Sequence, residues 1–216
     1  MPEERYKPAL RQALQFHEIG DKSPYQLFFA AKGKSGASFG FMQGDLAAQQ
    51  PVVQRTFHQC LSASGFTEDE INSLARRLSV HLIRNPLSRS ETERINAAFA
   101  AHRDAVDAMD DAILSGVYSG LDKCLAVAAR ADRTIHPEAQ LYIAMWINMS
   151  GPPSKMLLWL AGDDPQLGVR VQPPGRQVDV AAIQAYLRAT SYYRENPRNF
   201  AHLEESANAG ARKLPG

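Results

Sequence analysis

Two cysteines in 216 residues are too few for a disulfide framework. Cys60 and Cys124 each fall in a stretch with helical spacing and read as buried free thiols, with a single bridge between them left open. Charge of one sign is also missing. Twenty-four Lys and Arg against 23 Asp and Glu leave a formal net charge of +1, too little for purely electrostatic attachment to nucleic acid or an anionic membrane. No apolar run approaches a membrane span. The opening stretch MPEERYKPALRQALQFHEIG has no apolar segment of the kind a secretory signal needs, so no signal peptide is expected. Internal repeats and low-complexity segments are absent too.

Metal-ligand spacing is equally scarce. His17, His58, His81, His102, His136 and His202 show no His-x-x-x-His pair. Asp104, Asp107, Asp110 and Asp111 share one helical stretch, where a hard cation has oxygens to choose from. With Arg103 nearby, they read as a solvated acidic face. Neither a metal nor an organic cofactor is expected.

What is present is helix. Apolar residues make up 44% and charged residues 22%, enough for a globular core. Pro8 to His17 has its apolar residues at near-helical spacing, and Gly20 follows as a stop. Thr67 with Glu70 forms a capping box, and Ser90 with Glu93 repeats the pattern. Gly116 and Gly120 are expected to break or bend the long segment they interrupt. Further helices are expected over 121–131, 137–148 and 180–188, with a loop at Val171 to Arg176. Between Asp21 and Asp45 lies an irregular Gly-, Ser- and Lys-rich region expected to hold a short β-hairpin. The expected fold is mainly α, one domain over residues 1–205 with a flexible tail at 206–216.

The stretch Gly33 to Asp45, GKSGASFGFMQGD, asks whether this region holds a nucleotide. A phosphate-binding loop needs a glycine five positions before Gly33, where Phe28 stands. It should also join a strand to a helix, and this one follows a helix end. No nucleotide site is expected, and no serine-nucleophile triad either.

Glu18 is more informative. It ends an amphipathic helix just before the irregular region, which Asp45 closes. A carboxyl group with its pKa raised by apolar neighbours, here Phe16 and Ile19, protonates the leaving oxygen of a glycoside; a second carboxylate or the substrate itself completes the reaction. His17, although adjacent, reads as a bystander because consecutive helical residues do not face each other. The glycines nearby serve either close approach to a sugar chain or tight turns.

Glu18 followed by Gly36-Ala37-Ser38-Phe39-Gly40-Phe41-Met42-Gln43 resembles the glutamate and the Gly-Ala-x-Gly-Leu-Met-Gln motif of soluble lytic transglycosylases and goose-type lysozymes, with one residue more before Gly40 and Phe41 in the leucine position. Trp146-Ile147-Asn148-Met149-Ser150-Gly151-Pro152-Pro153 with Trp159-Leu160 is similar to that family's Tyr-Asn-Ala-Gly-Pro-Gly motif and trailing Trp-Leu. Tyr192 to Phe200 resembles the closing segment, and the three occur in the family's order. Glu18-Ile19-Gly20-Asp21 with Gly40-Phe41 and Gly44-Asp45 is also similar to the acid and base segments of family 46 chitosanases.

The resemblance implies a lysozyme-like α+β domain and a glycosidase that cleaves the glycan strand of peptidoglycan, as a muramidase or lytic transglycosylase. Glu18 is implied as general acid, and Asp45, by the chitosanase resemblance, as the base that activates water. Asp21, Tyr25, Ser38, Phe41, Met42, Gln43, Asn148, Tyr192 and Tyr193 are implied in sugar binding, the aromatic ones because their faces pack on a pyranose. Of Tyr192 and Tyr193, one is expected to point inward. The alternatives are chitosanase-type hydrolysis, against which the basic Lys32 and Lys34 count, and a non-catalytic module that binds glycan or protein. The expected partner is peptidoglycan or a related amino-sugar polymer, with delivery machinery or an inhibitor protein as further partners. The chain is expected to be made in the cytoplasm and to reach the cell wall by another system.

Overall fold

The computed structural model describes residues 4–29, 35–80 and 85–215. Gly33 and Lys34 of the phosphate-loop lettering, the basic Lys32 and His81 lie outside the described residues. The protein is mainly helical, 67% helix and 5% strand. The chain divides into two compact units, residues 1–20 with 115–216, and residues 21–114.

The first unit holds α1 (Lys7–Ile19), the second half of α5 (Arg103–Arg130), α6 (Pro137–Ser150), α7 (Ser154–Ala161), α8 (Val180–Ala189), α9 (Ser191–Glu195) and α10 (Arg198–Ala211). Two short strands, β4 (Thr134–Ile135) and β5 (Gln177–Val178), pair in parallel after the Val171 to Arg176 loop. Pro8 and Pro137 sit in the first turns of α1 and α6, where a missing N–H costs nothing. Helix α1 ends at Gly20, whose φ of 60° suits glycine. It packs on α10 and α6, burying Leu10, Leu14, Ile143 and Leu203. Gly210 permits this closeness, since a Cβ there would run into Ala9 and Ala13. That contact corrects the expectation of a tail from residue 206. Helix α10 runs to Ala211 with Ser206, Ala207 and Gly210 buried, because the apolar face of α1 needs a cover. Trp159 is core, its ring 4.9 Å from that of Tyr186 and its Nε1 donating to Gln172 O at 2.8 Å.

The second unit holds a three-stranded antiparallel sheet, β1 (Phe28–Phe29), β2 (Ala37–Phe39) and β3 (Gly44–Asp45), where a hairpin was expected. A 3-10 turn (Leu46–Ala48), α2 (Pro51–Ala63), α3 (Glu68–Leu78), α4 (Arg89–Ala101) and the first half of α5 follow. Phe39, Phe57 and Phe99 centre its core, with Phe39 and Phe99 stacked 4.3 Å apart. The Thr67–Glu70 capping box is formed as expected, but the second box is Ser88 with Glu91, two residues before the expected pair. Ser88 has an N–H-accepting hydroxyl and extended backbone, which the helical Ser90 lacks.

The expected break at Gly116 and Gly120 does not occur: α5 continues through both. Gly120 is there for packing, because a Cβ would overlap the Ile147 side chain. By length and composition α5 also reaches the requirement for a membrane span, the one helix among the described residues that does, although buried core helices meet the same test. Cys60 and Cys124 are both free and buried, and they belong to different units. Burial pushes the Cys60 thiol up to about 11, which makes it an unreactive core side chain.

Candidate functional site

Glu18 is the next-to-last residue of α1. Eleven residues of helix before it and the buried Ile19 after it hold it at the junction with α6 and α10. Asn148, in the last turn of α6, donates from Nδ2 to Glu18 Oε1 at 2.7 Å. Burial raises the Glu18 pKa above its ordinary 4.5, opposed by the Asn148 hydrogen bond and by the charge of His202. A helix C-terminus adds carbonyl dipoles that disfavour an anion. The first unit thus presents a carboxyl group biased toward keeping its proton, in one fixed orientation.

The Asn148 contact yields a prediction with a definite sign. The hydrogen bond favours the carboxylate, so Asn148→Ala should leave Glu18 protonated to higher pH. In a pH titration of the Glu18 carboxyl followed by NMR, the midpoint should move up. A midpoint unchanged in the folded variant would show that this hydrogen bond does not set the Glu18 pKa.

Trp146, Tyr192 and Tyr193 form an aromatic group in the same unit, with the Trp146 ring 5.8 Å from Tyr193 and 6.4 Å from Tyr192. Tyr193 is the inward member, buried, with its hydroxyl toward the Met149 sulfur. Tyr192 is 38% exposed and accepts from Asn199 Nδ2. A cavity of about 290 Å³ opens beside Trp146, walled by Pro152, Pro153, Tyr186 and Ser191. An apolar and aromatic wall with hydroxyls at its edge suits a sugar face.

His17 does not face Glu18. It links α1 to α6 and α10 instead, through Met149 Sδ and Ser206 Oγ, each 3.2 Å from a ring nitrogen.

In the second unit, the sequence-predicted residues hold one another. Ser38 Oγ donates to Gln43 Oε1 at 2.8 Å, and Gln43 Nε2 donates to Gly40 O at 3.0 Å. Gln43 itself adopts φ 52°. Its amide therefore closes the turn between β2 and β3. Asp45 Oδ1 accepts from the amides of Gly36, at 3.0 Å, and Ala47, at 2.8 Å, capping the 3-10 turn. Residues 36–40 spell the Gly-x-Ser-x-Gly lettering of a nucleophile elbow, yet Ser38 lies inside a strand and not at a strand-to-helix turn. Tyr25 donates to Asp107, and the Arg103 guanidinium covers one face of its ring at 5.0 Å. Asp21 is exposed in the turn after Gly20.

Phe41 and Met42 have buried side chains, and their amides meet a residue that sequence reasoning misplaced. Asp110, expected on a solvated face, is completely buried. Its Oδ2 accepts from Phe41 N at 2.9 Å and its Oδ1 from Met42 N at 3.0 Å. Gly40, with φ 78°, passes so close that a Cβ would strike this carboxylate. Gly36 and Gly44 likewise face protein atoms where a Cβ would stand, so these glycines serve close packing of the turn. Asp104 and Asp111 are exposed as expected. The signal available for Asp110 was the spacing Val106, Met109, Asp110, Ile113: it shares a face with apolar residues. Among the described residues, no group of three or more His, Cys, Asp or Glu is placed to hold a metal ion.

No family model, curated protein or solved structure matches this chain.

Proposed function

We propose that the protein is a glycosidase that cleaves the glycan strand of peptidoglycan, with Glu18 as general acid. The observation that carries the reading is the Glu18 carboxyl group: partly buried, raised in pKa by that burial, and oriented by Asn148 at 2.7 Å. A surface glutamate at a helix end has none of these properties. Supporting it are the Trp146, Tyr192 and Pro152 surfaces of the same unit, which suit a sugar.

In the reaction, the Glu18 proton passes to the glycosidic oxygen and the C1–O electron pair leaves with that oxygen. The oxocarbenium-like carbon is then captured by water or by the sugar's own hydroxyl. The proton released returns to the Glu18 carboxylate. Asp45, the alternative base, has one carboxylate oxygen committed to two backbone amides of its own turn. That commitment favours capture without Asp45, as in a lytic transglycosylase, over the chitosanase-type scheme. The protein would act at the cell wall.

The test is digestion of purified peptidoglycan, with products weighed by mass spectrometry. Anhydro ends are expected, and reducing ends would shift the reading to a hydrolase. No soluble product at all would sink the peptidoglycan assignment, and chitosan digestion would then separate a chitosanase from a non-catalytic module.

A further inference from the structure

We propose that His202 is a positioning residue for Glu18: it pins the last turn of α1 by donating to the His17 carbonyl, and through its charge it sets the pH window in which Glu18 acts as the acid. This deepens the reading above and rests on Glu18 being the proton donor.

The geometry distinguishes the two histidines of the pair. His202 stands one turn into α10 with Nε2 2.8 Å from the carbonyl oxygen of His17. A carbonyl only accepts, so Nε2 carries a hydrogen in either charge state of the ring. The other ring nitrogen, Nδ1, faces Glu205 Oε2 at 4.0 Å. His17 lies stacked under this ring, 4.9 Å between centroids and 20° between planes. Ser206 spends its hydroxyl hydrogen on His202 O at 2.6 Å, so its oxygen is left to accept from His17 Nδ1. Both His17 ring nitrogens are thus turned to protein atoms, Nδ1 to Ser206 Oγ and Nε2 to Met149 Sδ. Burial, and then the neighbouring His202 charge, lower the His17 pKa to about 4. That shift favours a neutral His17, and the charge of this pair that acts on Glu18 is the one on His202.

That charge reaches Glu18, where it favours the carboxylate against the effect of burial. The titratable groups that interact with His202 are His17 and Glu18 from α1 and Glu205 from α10. Helix α6 brings the neutral Asn148 and Met149 to the cluster, and α9 brings the Tyr193 hydroxyl to Met149. A protonated His202 thus works against Glu18 holding its proton, and a neutral His202 works for it. The hydrogen bond to His17 O keeps this charge at a fixed place beside the acid.

The test follows the Glu18 carboxyl by NMR through a pH titration of the full chain, its signal assigned by its loss in Glu18→Gln. His202→Gln keeps an N–H for the His17 carbonyl and removes the charge. An upward shift of the Glu18 midpoint is expected in His202→Gln, with the fold retained. A histidine that only packs would leave the midpoint where it is, and an unchanged midpoint in the folded variant overturns the proposal. His202→Phe keeps the ring and loses the donor. It should shift the midpoint in the same direction and also broaden the Glu18 signal, since the last turn of α1 is no longer pinned. The titration uses no glycan, so its outcome is separate from whether peptidoglycan is the substrate.

Discussion

Glu18→Gln is expected to reduce release of soluble products from peptidoglycan by about 10²–10⁴-fold, the usual contribution of a positioned general acid. The substitution is nearly isosteric and leaves the Asn148 Nδ2 an oxygen to donate to, so the helix end stays in place. What disappears is the proton delivered to the leaving oxygen. KM should change little, because the sugar contacts remain and the loss belongs to the transition state.

The same variant has a second readout with the opposite sign. The pKa of Glu18 is raised in the folded state, so the folded protein binds this proton more tightly than the unfolded chain does. Its stabilising contribution is fully present below the unfolded value, near 4.5, and is lost as pH rises through the folded value. Glutamine never ionises. Glu18→Gln should therefore be as stable as wild type or more so at neutral pH, and the difference should shrink toward pH 4. A variant both inactive and no less stable excludes unfolding as the cause of lost activity. An active Glu18→Gln would refute the acid assignment outright.

Asp110→Asn is expected to destabilise the second unit by about 2 kcal/mol or more, since each amide bond to a charged acceptor contributes roughly 1.5–3 kcal/mol. The carboxylate has two oxygens and accepts one backbone N–H on each. Asparagine supplies one oxygen and sets its NH₂ against the second backbone N–H, donor against donor, at a completely buried position. Asp110→Ala leaves both amides without this acceptor and opens a cavity, and should cost more, about 3 kcal/mol or above. For a chain of this size a loss of 3 kcal/mol lowers Tm by roughly 6–12 °C. Hydrogen exchange localises the effect: the Phe41 and Met42 amides should be protected in wild type and exchange faster in Asp110→Asn. Equal stability and equal exchange would show that the carboxylate does not hold the turn.

The helices were legible because their signals are local. The threonine three residues before Glu70, the prolines at positions 8 and 137 and the glycine after Ile19 each act within one turn, and each marks an end that the structure has. The second capping box was missed by two residues because Ser88 and Ser90 carry the same hydroxyl, and only the backbone conformation at Ser88 distinguishes them. Gly116 and Gly120 were misread for a related reason. A glycine weakens a helix by about 1 kcal/mol, a cost that packing of a 28-residue helix overrides, and the space Gly120 leaves is taken by Ile147.

The candidate site divides in the same way. That Glu18 ends a helix, beside an irregular region rich in glycine, could be read from the sequence alone. So could the types of residue offered for a glycan: a carboxylic acid, an amide at position 148 and aromatics at 146, 192 and 193. Which of them meet was decided by tertiary structure. Asn148 is 130 residues from Glu18, and Asp110 is 69 from the amide of Phe41 that it accepts. Gln43, implied as a sugar contact, and Asp45, implied as the base, each bond backbone groups of their own turn, which need partners nearby. Capping and helix stops are set by atoms within one turn, so the sequence determined them. The burial that raises one carboxyl and fastens another depends on partners scores of residues away, and only the packed chain brings those together.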